Sequence, residues 1–66
     1  MTRYSADGER AAEVREFENG ETYLFESELV DGDSWKERHD GAMVGPFRSP
    51  NHAERFITST DWFTGE

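Results

Sequence analysis

The stretch "ENGETYLFESELVDGD", from Glu18 to Asp33, places two turn dipeptides around a run that alternates residue by residue. Tyr23, Phe25, Ser27 and Leu29 share one parity, and Thr22, Leu24, Glu26 and Glu28 share the other. Successive side chains of a strand point to opposite faces, so the run predicts a strand with the aromatic set on the core face. Asn19-Gly20 and Asp31-Gly32 bound it, and both dipeptides accept the positive φ that tight hairpins need. The stretch is also acidic, since nothing basic occurs between Arg15 and Lys36.

Working outward, Asp7-Gly8 and Asp40-Gly41 extend the punctuation, with glycines at 8, 20, 32 and 41. Regular turn signals of this kind indicate successive hairpins. The expected fold is α+β: a small antiparallel β-meander of three to four strands with one C-terminal helix packed on one face. The strands fall at roughly 9–18, 21–30, 34–39 and 42–47, and the helix at 50–60.

Register follows from the turns. A two-residue Asn19-Gly20 turn pairs Phe17 with Thr22, Glu16 with Tyr23 and Val14 with Phe25, which puts Val14 on the core face. A three-residue Asp31-Gly32-Asp33 loop sets Leu29 opposite Trp35, Glu28 opposite Lys36 and Glu26 opposite Arg38. A two-residue loop would set Trp35 beside Glu28, and opposite charges across strands are the favourable arrangement. The three-residue form places its left-handed residue last, at Asp33. The segment "ERAAEVREFE" has a competing reading as a helix, because it is rich in helix formers and Gly20 could cap it.

Further along, Ser49 reads as a helix N-cap with Pro50 at the first helical position. Ala53, Phe56 and Ile57 form one stripe, which would cover the Tyr23/Phe25/Trp35 face. Thr58, Ser59 and Thr60 compete for backbone hydrogen bonds and should fray the helix end.

Sixty-six residues indicate one domain, 1–66, with no cysteine to staple it. A chain this short buries only about 60% of the surface its unfolded form exposes. Hydrophobic residues are 33% of it, but five Phe, two Trp and two Tyr supply large buried areas. The core is therefore expected to be thin, and a partner or a homodimer could complete it. No apolar run is long enough to cross a membrane, no leader pattern opens the chain, and a cytoplasmic location is expected.

Fifteen acids against seven bases give a formal net charge of −8. That excess opposes direct binding of nucleic acid or an anionic membrane and favours a larger basic protein or nucleoprotein complex as partner. Glu26 and Glu28 have their cross-strand bases. Glu16, Glu18 and Glu21 have none and gather at the Asn19-Gly20 hairpin, with Glu13 further along the strand. Asp31 and Asp33 gather at the other end, near Asp7 and Glu9.

His39, Asp40, His52 and Glu54 are the one group with metal-ligand chemistry, but no spacing links them, and neither metal nor cofactor is expected. Ser49 is explained as a cap, no nucleophile motif surrounds it, and no glycine-rich loop opens a helix after a strand. The chain is not expected to be an enzyme. Trp62 and Phe63 in "DWFTGE" either fold back to plug the core or anchor a partner.

The expected partner-binding residues are thus Glu13, Glu16, Glu18, Glu21, Asp31, Asp33, Trp62 and Phe63. In size and charge the chain is similar to the small acidic inhibitors that phages and mobile elements use against host defences, including anti-CRISPR and anti-restriction proteins. The similarity is one of class, and no site residue carries over from it. It implies an inhibitor whose carboxylates stand in for phosphates on a nucleic-acid-binding surface. The alternative is an accessory domain that dimerises or docks through an aromatic patch.

Overall fold

The computed structural model describes residues 1–65. Strands β1 (Thr2–Tyr4), β2 (Arg10–Glu16), β3 (Thr22–Val30), β4 (Ser34–Glu37) and β5 (Val44–Phe47) form one antiparallel sheet. Helices α1 (Pro50–Thr58) and α2 (Asp61–Thr64) follow. The architecture is the expected small α+β one, with a helix packed on one face of the sheet.

Residues 10–16 are strand and not helix, because alternation separates Ala12 and Val14 from the charged parity of Glu13 and Arg15. An additional edge strand, β1, pairs Thr2 with Glu13 and Tyr4 with Ala11. The turn that joins it to β2 is built by side chains: Ser5 Oγ donates to Asp7 Oδ1 at 2.6 Å, and the Glu9 amide donates to the same oxygen at 2.9 Å.

The sheet is not a simple meander. Strand β5 pairs with β3 and not with β4. The C-terminal half of β3 pairs with β4, and its N-terminal half pairs with β5, through Thr22↔Phe47 and Leu24↔Val44. Strands β4 and β5 therefore act as one edge strand interrupted by residues 38–43. The interruption holds a 3-10 turn, Arg38–Gly41, in which His39 and Asp40 have φ of 58° and 54°.

The hairpin registers part ways. Leu29↔Trp35 and Glu28↔Lys36 pair as the three-residue loop requires. The left-handed residues of that loop are Asp31 and Gly32, with φ of 54° and 78°, and not Asp33. At the other hairpin the expected two-residue turn is wrong. The Phe17 amide donates to Glu21 O at 2.8 Å, leaving a three-residue loop in which Gly20 has φ of 88°. The slip of one residue pairs Val14 with Leu24 and Glu16 with Thr22.

The core face is likewise the reverse of the expected one. Ala12, Val14, Leu24, Ala53, Ile57 and Phe63 form the buried cluster, with Val44, Phe47 and Trp62 packed at its margin. Helix α1 thus covers the Thr22/Leu24/Glu26 parity of β3, and Tyr23, Phe25 and Trp35 lie on the other side. Ala12 and Ala53 are fully buried, and these small side chains let helix and sheet backbones approach closely. Bulky rings at 23, 25 and 35 would hold the helix off.

Ser49 caps α1 as expected, accepting from the His52 amide at 3.2 Å. The helix ends at Thr58, two residues short of the expectation, because Ser59 and Thr60 hydroxyls each donate to backbone carbonyls at 2.8 Å. Thr60 then caps α2, which carries Phe63 into the core.

Candidate interaction surface

The sheet face opposite the helices carries large side chains that neither helix covers. Cross-strand register sets it out in rows. One row runs Thr2, Glu13, Phe25, and the next runs Tyr4, Ala11, Ser27, Glu37. Trp35 lies in the third, opposite Leu29. Tyr4 and Trp35 lean toward each other until their rings meet edge to face, 6.0 Å between centroids. Between them the floor is made of small residues, Ala11 and Ser27. The result is a depression of about 420 Å³ lined by Thr2, Tyr4, Ala11, Glu13, Arg15, Phe25, Glu26, Ser27, Trp35 and Glu37.

Arg15 crosses the far side of this face. Its guanidinium stands 4.2 Å from the Phe25 ring centroid and grips Glu13 with two bonds, Nε to Oε2 at 2.9 Å and Nη2 to Oε1 at 3.1 Å. That pair lowers the Glu13 carboxyl below its ordinary range and raises Arg15. Glu13 is therefore neutralised within the protein, contrary to its placement among the unpaired acids. Phe17 and Tyr23 continue the aromatic row toward the β2–β3 hairpin, with ring centroids 5.4 Å apart.

The remaining sequence-predicted acids sit where turn spacing put them. Glu16, Glu18 and Glu21 cluster at the β2–β3 hairpin, and Asp31 and Asp33 lie at the β3–β4 loop on the opposite end. None of these five has a cation within 4.0 Å among the described residues, whereas Arg3, Arg10, Arg15 and Arg38 are all engaged in ion pairs. The two acidic loops stand at opposite ends of the nine-residue strand β3.

Glu26 is the residue whose role the sequence misplaced most. Its pairing with Arg38 is present, at 2.9 Å, but on the core side, where the Glu26 side chain is only 2% exposed. His39 Nε2 approaches the same oxygen at 3.0 Å. Two consecutive left-handed residues in the 3-10 turn swing these partners back over the sheet edge. The Arg38 guanidinium in turn covers Trp62, 4.4 Å from its ring centroid. Trp62 is thereby half-buried and Phe63 is a core residue at 7% exposure, so the aromatic tail plugs the fold. His52 and Glu54 lie on α1, away from His39 and Asp40, and no metal-holding group of side chains occurs among the described residues.

Alternation alone does not mark the aromatic face as a surface, because hydrophobicity turns its rings toward the core. Among the described residues no helix is long and apolar enough to cross a membrane. No protein-family model, curated protein or solved structure matches the chain.

Proposed function

We propose that the protein is a small acidic interaction module that binds a basic surface on a larger protein, of the kind shaped to hold nucleic acid. One observation carries this reading. The arginines of the sheet are consumed by internal ion pairs, while Glu16, Glu18, Glu21, Asp31 and Asp33 are presented at the two ends of the sheet without cations among the described residues. Carboxylates fixed at such spacing can occupy the sites of backbone phosphates, and their attraction is long-ranged, orienting and salt-sensitive. Complexes of host defence are the class of target that the size and charge suggest. Reversing Glu16, Glu18 and Glu21 to Lys should abolish capture of the partner from a bacterial lysate while leaving the circular dichroism spectrum unchanged. A folded triple variant that still captures it would overturn the proposal.

A second reading, an accessory domain that docks through aromatic surface, is favoured by the exposure of Tyr4 and Trp35, at 61% and 47%. The anchor in that case is Trp35 and not Trp62. Salt separates the two readings. Apolar docking survives high salt, whereas attraction between exposed charges is screened.

A further inference from the structure

We propose that the notch between Tyr4, Trp35 and Glu37 on the open sheet face is a binding site for a cationic side chain, guanidinium above all, of a basic protein partner. The inference rests on the acidic-module reading and names the chemistry that would be recognised at the centre of the surface. Arginine already covers aromatic rings in this molecule, Arg15 over Phe25 at 4.2 Å and Arg38 over Trp62 at 4.4 Å. Among the described residues no arginine covers the Tyr4–Trp35 pair. It is the most exposed ring pair of the sheet, and Glu37, which lines the same depression and directs its Oε2 toward Gly41, has no cation within ion-pair distance among the described residues.

The notch owes its shape to residue size. Ala11 and Ser27 form a low floor between tall neighbours, leaving a depression of about 420 Å³ that a long, flat-headed side chain can enter. A cation seated there would meet ring faces and a carboxylate together, the pairing that favours guanidinium over a strongly hydrated ammonium.

Charge selects among occupants. A second copy would bring together two chains that each carry a formal net charge of −8, acidic ends included. Exposed rings on a sheet also suit stacked nucleobases, but the same charge repels the phosphates that accompany them. A basic protein segment satisfies both the rings and the acids.

The test is a titration of the 15N-labelled protein with an octa-arginine peptide, followed through backbone amides and the two indole N–H signals at about 150 mM salt. The Trp35 indole and the amides of Ala11, Ser27 and Glu37 should shift, and the Trp62 indole should not. Trp35→Leu keeps apolar contact with Tyr4 but removes the indole face, and should weaken binding by roughly threefold or more. Glu37→Gln should weaken it as well. Absence of binding, or unchanged affinity in folded Trp35→Leu, would overturn the site. Shifts confined to Glu16–Glu21 or Asp31–Asp33 would also overturn the notch while leaving the acidic-module reading intact. Conversely, a Trp35 response that persists in the Glu16/Glu18/Glu21 reversal would uphold the notch and remove the hairpin from the site.

Discussion

Thr22 and Glu26 show how single residues on one strand meet burial differently. Both lie on the core side of β3, Thr22 fully buried and Glu26 3% exposed. Glu26 is compensated by Arg38 and His39 on one oxygen, as a carboxylate removed from water must be. The Thr22 hydroxyl has no hydrogen-bond partner among the described residues. An unmade hydrogen bond in a buried site costs about 1–3 kcal/mol. Thr22→Val keeps the branched shape and removes the stranded oxygen, so it should raise stability by about 1 kcal/mol, measured by urea unfolding. A loss of stability would mean that the hydroxyl is solvated in solution.

At the scale of elements, the β1–β2 turn is a local device whose chemistry is acidic. The Asp7 carboxyl lies below its ordinary range, chiefly through the Ser5 hydroxyl, then the Glu9 amide and the nearby Arg10. A carboxyl whose folded value is lowered contributes stability that is present above its unfolded value, near pH 4, and lost as pH falls through the folded value. Thermal melts should therefore show the advantage of wild type over Asp7→Asn at pH 6 shrinking as the pH drops below about 4. An advantage that does not change with pH would assign the effect to shape and not to charge. The same scale explains what was legible. Asp31-Gly32 and Ser49-Pro50 specify a turn and a helix start through their own backbone preferences, and both stand where the spacing put them. Asn19-Gly20 does not settle its loop length, because Gly20 serves equally in a two-residue turn or as the left-handed close of a three-residue one.

For the whole molecule, a thin core makes each large buried side chain decisive. Phe63 is the last aromatic of the chain and one of the buried cluster between sheet and helices. Truncating a buried Phe to Ala typically costs about 3–5 kcal/mol. A domain of this size holds only about 3–10 kcal/mol in total. Phe63→Ala should therefore leave a substantial unfolded fraction, seen as a broadened thermal transition and loss of amide dispersion. A variant that melts like wild type would return the tail to the surface and make it available as an anchor. The same thinness goes with a single helical layer: both helices lie on one side of the sheet, and Tyr4 and Trp35 on the other side stay exposed.

By itself, the sequence determined the features carried by neighbouring residues: strands from alternation, turns from Asp-Gly and Asn-Gly, the helix start from Ser49-Pro50, and the acidic ends from residues that follow one another. Only the tertiary structure decided which side of the sheet is inside. Tyr23, Phe25 and Trp35 carry more apolar area than Ala12, Val14 and Leu24, so a reading by hydrophobicity turns them inward. A helix presenting Ala53 and Ile57 packs closest on the smaller set, and no pattern within β3 records that preference. The long edge that β4 and β5 share, the placement of the Glu26–Arg38 pair on the core side and the approach of His39 to it likewise depend on contacts between distant segments. Close packing across the sheet–helix interface, and not the alternation of any one strand, settled the inside of this protein and left its aromatic face to solvent.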